Sequence, residues 1–244
     1  MHPKITTDLA NGPSVDPDHL ADELLAEVLA LPSDAGTPWH RDGIRCVRAR
    51  FVAIGPNVAT CITENGESLL MPISEFPPQL TWREGDQICA LRFEYAGRVW
   101  LSCNRPELIA LLAEGLVPEL RDGTVRIMGL ARSPGVRAKI AVAATVDGLD
   151  PVATIVGRGA NRVRALSSLL GGERLDVVAW HGDVSVYLQN AFAPAAVNKI
   201  TTLSPRDLEV MVPRHQMAAA VGERGLNASL AGQLVGVNVT VIPA

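Results

Sequence analysis

The residues in this chain whose types and spacing could do chemistry lie in two short glycine-bearing segments. The first reads Val156-Gly157-Arg158-Gly159-Ala160-Asn161-Arg162-Val163, and the second reads Val221-Gly222-Glu223-Arg224-Gly225-Leu226-Asn227. Each lies between two stretches of helical periodicity. A glycine turn lets another backbone come close, because no Cβ stands in the way. It also aims the unpaired N–H groups of the following helix outward, and those donors suit an anion, phosphate above all. Gly157, Arg158, Gly159, Ala160, Asn161 and Arg162 form the first candidate site. Gly222, Glu223, Arg224, Gly225, Asn227 and Ser229 form the second. A helix C-cap glycine in a tight turn would look the same in either segment alone; the pairing carries the reading. Arg132, Arg137 and Lys139 flank the turn RSPGVR and are further candidates for phosphate, with a merely exposed hairpin as the alternative.

Other chemistry is not encoded in any recognisable spacing. No phosphate-binding lysine loop, HExxH pair or paired-carboxylate constellation occurs. Cys46, Cys61, Cys89 and Cys103 show no CxxC spacing and read as buried thiols. His181 and His215 have no carboxylate or thiol neighbours at ligand spacing. The sequence therefore points away from an enzyme and implies no catalytic residue, no metal and no cofactor. Phe51, Phe76 and Trp82 offer rings that could stack bases, or that simply fill a core.

The elements that must position the two segments follow from periodicity. Pro106–Leu116 is helical, Thr124–Ala131 and Ala138–Ala144 are strands, Pro151–Val156 and Asn161–Leu170 are helices around the first glycine joint, and Leu175–Trp180 is a strand. The order repeats: helix Val184–Ala193, strands Asn198–Leu203 and Asp207–Val212, helices His215–Val221 and Leu226–Leu234 around GERG, strand Val237–Ile242. Two α-β-β-α-α-β units, about 104–182 and 183–244, are expected. Before them, Ile44–Ile54, Ala59–Thr63, Ser68–Pro72, Gln87–Tyr95 and Val99–Ser102 are short strands split by turn residues, which suits a small closed barrel over 44–103. Residues 1–43 read as an acidic tail with one short amphipathic helix near Asp18–Leu31. The fold class is α+β.

Net charge is −4, which by itself argues against a nucleic-acid partner. The distribution reverses that. Residues 1–42 hold eight acidic and two basic side chains, whereas residues 121–164 hold eight basic and three acidic ones. A local basic field can guide a polyanion on an acidic protein. No apolar run of membrane length and no apolar leader is visible, so a cytoplasmic location without membrane contact is expected.

An α-β-β-α-α-β unit with a GxxG joint between helices is the KH clamp, which holds about four nucleotides of single-stranded RNA. The motifs extend the likeness. MPISEF (71–76), REGD (83–86) and LSCNRPELIALL (101–112) come first; LARSPGVRAKIAV (130–142), LDPVATIVG (149–157), NRVRAL (161–166) and LGGERLDVVAW (170–180) follow; NAFAPA (190–195) and AVGERGLNASLAGQLVGVNVTV (220–241) complete the order. Over about 44–244 the chain resembles the NusA family of bacterial transcription elongation and termination factors. The resemblance implies an S1-type OB barrel and two type II KH domains, RNA bound at the two glycine joints, and a role in elongation, termination or antitermination as a monomer. RNA polymerase and other Nus-type factors are implied partners. The family's polymerase-contacting N-terminal domain has no counterpart in residues 1–43, which leaves open an RNA-binding factor acting away from polymerase, on ribosomal RNA folding or maturation. Four positions depart from the pattern: Ala160 replaces the expected fourth glycine, Glu223 a basic or neutral residue, Ser229 an arginine, and Gly236 often a tryptophan. Two weakened clamps on a protein-interaction module are thus a further alternative. Both Gly222 and Gly225 are expected in an exposed loop that tolerates substitution without unfolding.

Overall fold

The computed structural model describes residues 44–244. The acidic tail and its expected helix lie outside the described residues. Five strands, β1 (Arg45–Ile54), β2 (Val58–Thr63), β3 (Ser68–Pro72), β4 (Gln87–Tyr95) and β5 (Arg98–Ser102), close into a barrel in the order β1-β2-β3-β5-β4. β1 is long enough to pair with both β2 and β4, and it bends at an irregularity between Phe51 and Ala53. The barrel shuts where Leu70 of β3 meets Trp100 of β5 in parallel. Alternation sets the inside: Ala59, Cys61 and Thr63 of β2 point in, and Val58, Thr60 and Ile62 do not. Phe51 is buried and stacks on Phe76 at 5.3 Å between ring centroids, with Trp82 tilted against Phe51 at 5.6 Å. Of the three rings that could stack bases, Phe51 and Phe76 are therefore core, since a barrel this small fills its interior with side chains.

Helix α1 (Glu107–Leu116) leaves the barrel at Ser102–Arg105 and is buried from Leu108 to Leu116. It is a wedge between two layers. One side meets Cys46 and Leu91 of the barrel, and the other meets Ile140 and Val142 of the next sheet, so a single apolar core runs from barrel to first repeat. A one-turn helix, α2 (Pro118–Arg121), follows; its proline at the first helical position closes a segment that periodicity alone leaves unassigned.

The first repeat continues with β6 (Val125–Ser133), β7 (Arg137–Ala144), α3 (Pro151–Val156), α4 (Asn161–Leu169) and β8 (Arg174–Ala179), with sheet order β6-β7-β8. The α3–α4 crossover returns the chain so that β8 runs parallel to β7. Asp150 caps α3 by accepting from the Val152 and Ala153 N–H groups, worth about 1 kcal/mol. The second repeat has α5 (Val184–Phe192), β9 (Lys199–Thr202), β10 (Asp207–Val212), α6 (Met217–Val221), α7 (Leu226–Val235) and β11 (Asn238–Pro243), with sheet order β11-β10-β9 and β11 parallel to β10. Asp183 caps α5 in the same way.

The sheet of the first repeat is covered on both faces. Ala138, Ile140 and Val142 face the helices of their own repeat. Ala131, Ala141 and Val178 face α5 and α7 of the second, beside Leu188, Leu230 and Leu234. Gly129 permits this closeness: a Cβ there would lie 3.3 Å from Tyr187 Oη and 3.5 Å from a Leu234 methyl. Asn190 donates to the Ala179 carbonyl at 3.0 Å across the join. The two repeats thus share a core.

Candidate nucleic-acid interface

The two glycine joints have the same backbone. Each opens on a glycine at a nearly identical angle, Gly157 at φ 74° and ψ 168° and Gly222 at φ 73° and ψ 175°. One irregular turn follows, and two consecutive left-handed residues end it: Gly159 (φ 57°) and Ala160 (φ 61°) in the first, Arg224 (φ 51°) and Gly225 (φ 80°) in the second. Gly157 thus corresponds to Gly222, Arg158 to Glu223, Ala160 to Gly225, Arg162 to Asn227 and Arg164 to Ser229. The displaced glycine of the first joint is a swap between two adjacent left-handed positions, each joint placing one non-glycine residue in that region.

The opening glycines are required by contact. A Cβ on Gly157 would lie 2.3 Å from Asn161 Oδ1, and one on Gly222 would lie 2.7 Å from Asn227 Cβ and 2.8 Å from its backbone nitrogen. Gly159 and Gly225 have open space before them. Each joint is tied back to the preceding helix by the corresponding residue. Arg162 Nη1 donates to the Thr154 carbonyl at 2.8 Å and to Glu119 at 3.2 Å. Asn227, buried, donates to the Ala220 carbonyl at 2.9 Å. Arg162 and Asn227, which the sequence places at the RNA surface, act as staples that hold the joint. Arg158, Gly159, Asn161 and Arg164 are exposed in the first joint, and Glu223, Arg224 and Ser229 in or just after the second.

A groove of about 770 Å³ runs from the second joint along α7 and β11. Gly225, Ser229 and Gly232 form one wall, Val239 and Val241 the other, and Arg206 adds a cation. Gly232 lets α7 close onto the start of β11: a Cβ there would come within 2.6 Å of the Val237 carbonyl oxygen. A low apolar floor beside open backbone and a cation suits a base and its phosphate together. Among the groove residues Gly225, Ser229 and Gly236 stand out in the sequence; the spacing Ala228, Gly232 and Gly236 is the signal available for the rest.

Residues 104–180 match the model of the NusA-like first KH domain, and residues 184–243 that of the NusA-like second KH domain. The chain is 35% identical over 267 residues to the transcription termination/antitermination protein NusA of Halalkalibacterium halodurans, covering 98% of this chain and 69% of that one. It is 33% identical over 178 residues to the protein of the same name from Bacillus subtilis, covering 70% of this chain and 48% of that one. With the Rickettsia conorii protein the identity is 36% over 149 residues, or 59% and 30% of the two chains. The chain belongs to the NusA family. It spans about two thirds of the first of these NusA proteins, about half of the second and under a third of the third. The barrel is the OB-like part of this NusA-like architecture, and the two repeats are its KH domains.

The three cations near the first hairpin are placed differently from expectation. Arg132 is 3% exposed and pairs with Glu173, which is fully buried, through Nε at 2.9 Å and Nη2 at 2.9 Å; it also donates to the Arg105 carbonyl. Lys139 is fully buried with its ammonium 2.9 Å from Asp176, and Arg137 donates to the same carboxylate at 2.7 Å. Arg132 and Lys139 therefore serve the interior of this NusA-like protein rather than a phosphate surface, and Arg137, 14% exposed, is largely committed to Asp176. Arg132 and Lys139 are buried on opposite faces of the sheet: Lys139 shares the face of Ala131 and Ala141, which the second repeat covers, whereas Arg132 lies at the junction with the barrel beside Arg105. Burial lowers the Lys139 pKa below its ordinary value, while its bond to Asp176 opposes that shift. The cation left outside at this edge is Arg174, 68% exposed and 3.6 Å from Asp176. The exposed charge of the NusA-like clamps is thus Arg158 and Arg164 in the first, and Arg224 opposed by Glu223 in the second.

Among the described residues no helix is long and apolar enough to cross a membrane.

Proposed function

We propose that this NusA-family protein binds single-stranded RNA at its two KH joints and through that contact modulates transcription elongation, termination or antitermination. The observation that supports the reading is the repeated joint itself. Two loops share one backbone, each opening on a glycine that no side chain could replace and each ending at open space before a helix N-terminus. In the first domain Gly157, Arg158, Gly159, Ala160 and Asn161 face the strand, with Arg164 beside them. In the second Gly222, Glu223, Arg224, Gly225 and Ser229 do so, with the α7–β11 groove behind. Relatives named as transcription termination/antitermination proteins support the regulatory half. RNA polymerase and other Nus-type factors are the proposed protein partners, and a cytoplasmic monomer is the proposed state.

The test is equilibrium binding of single-stranded RNA across a salt series, with a parallel pull-down of RNA polymerase. RNA binding that weakens with salt and is lost in Gly225→Asp supports the first half; polymerase capture supports the second. One observation favours a second reading. Glu223 occupies the position that Arg158 holds in the first clamp, and a carboxylate there repels phosphate. Absence of RNA binding at low salt would make this a protein-interaction module; RNA binding without polymerase would place it on RNA folding away from transcription.

A further inference from the structure

The barrel and the first KH domain meet over a cleft of about 250 Å³ that neither clamp includes. Its barrel side carries Arg48, Leu80, Trp82 and Gln87; its KH side carries Ser168 and Gly171, at the C-terminal end of α4. Among its described lining residues there is no carboxylate. Arg48, which also pairs with Glu64 at 3.3 Å, brings positive charge to it. The Trp82 ring is held against Phe51, yet its indole Nε1–H is buried without a hydrogen-bond partner. A buried donor left unpaired is an uncommon cost in a folded protein and is expected where something else accepts from it.

The correspondence between the two domains places this cleft on the path of a bound strand. In the second domain Gln233 and Gly236 line the far end of the groove that starts at the clamp. The register of the joints maps them onto Ser168 and Gly171, which line the cleft beside Leu108, Arg132, Leu169 and Leu170 of the same domain. Helix α4 carries the path from the first clamp to this point, nine residues and roughly 13 Å at 1.5 Å per residue. In the second domain the far end of the groove is open; in the first, the barrel walls it in.

We propose that the cleft between barrel and first KH domain takes one unstacked nucleobase of the RNA strand held by the first clamp. Leucine and indole walls suit the face of a base, the Trp82 N–H suits a ring nitrogen or carbonyl acceptor, and the surrounding positive charge suits the phosphates beside it. The proposal rests on the RNA-binding reading and extends its site by one nucleotide.

The experiment uses the full chain and an RNA long enough to occupy both clamps, then the same RNA lengthened by two nucleotides at either end, with or without bases on the added residues. At one end the base-bearing extension binds about tenfold tighter than the abasic one, the scale of one stacked base. Gln87→Trp, which fills the cleft from the barrel rim, removes that increment and leaves the affinity for the unextended RNA and the melting temperature unchanged. Trp82→Phe, which keeps a ring and deletes the N–H, reduces it. Equal binding of base-bearing and abasic extensions at both ends, or an increment that survives Gln87→Trp, overturns the proposal. So does a cleft in the RNA-free protein that binds adenosine or uridine monophosphate while the increment is absent, since the occupant is then a free nucleotide. No binding of the unextended RNA at low salt overturns the RNA-binding reading itself, and this proposal with it.

Discussion

Ala160 and Gly225 hold the same place in two copies of one loop, both left-handed, at φ 61° and φ 80°. An alanine there is strained by its Cβ against the neighbouring carbonyl, whereas glycine is not. Ala160→Gly is expected to raise stability by about 0.5–1 kcal/mol, the relief of strain exceeding the added freedom of the unfolded chain. Thermal unfolding measures it. RNA affinity should rise slightly with no change in salt dependence, since no charge is altered.

Glu223 and Arg158 make the second correspondence. Glu223→Lys changes the charge beside the second clamp by two units. Each phosphate neutralised on a single strand steepens the log-affinity against log-salt slope by about 0.7. The variant should bind RNA more tightly at low salt, with a slope steeper by roughly that amount. An unchanged slope across a salt titration would show that phosphate does not pass this position.

The two glycines of the second joint, expected to tolerate replacement alike, part company in the structure. Gly222→Ala forces a Cβ within 2.7 Å of Asn227, at a φ that alanine resists. It should cost several kcal/mol, in the range of severe local overpacking and strain. Gly225→Ala meets nothing within 4 Å and should cost about 1 kcal/mol. Denaturant midpoints for the pair measure the difference. Loss of RNA binding is therefore interpretable for substitutions at Gly225, and not for those at Gly222.

Glu173 accepts from Arg132 Nε and Nη2 and from the Gly135 N–H while fully buried. Glu173→Gln leaves the guanidinium buried without its counter-charge and should cost about 3–5 kcal/mol. Chemical unfolding checks this. RNA affinity at the two joints should be unchanged in the fraction that remains folded, because the bonds of Arg132 go to Glu173 and Arg105 and to neither joint.

Lys139 behaves differently, because Asp176 keeps Arg137 and Arg174 when the lysine is removed. Burial holds the folded-state pKa of Lys139 below its ordinary 10.5. Between those two values the unfolded chain binds the proton more often than the folded one, so this group makes stability rise as pH rises through that window. Lys139→Met should be neutral or stabilising near pH 7. It should also lose that alkaline rise, which urea unfolding at a series of pH values up to 10.5 detects.

The sequence by itself determined what depends on neighbours along the chain. Helix and strand order, the repeat and both glycine joints follow from local periodicity and the lack of a Cβ. The position of Ala160 shows the limit of that locality: one glycine out of place reads as a broken clamp, yet the backbone makes adjacent residues left-handed and absorbs the swap. Tertiary structure decided which side chains face water. Arg132, Lys139 and Arg162 look like a phosphate strip in sequence, and the fold turns them onto Glu173, Asp176 and the Thr154 carbonyl. Strand alternation says only that a side chain points to one face of a sheet. Whether that face meets solvent or another domain depends on residues far along the chain: α5 and α7 cover the face that holds Lys139, and the junction with the barrel encloses Arg132.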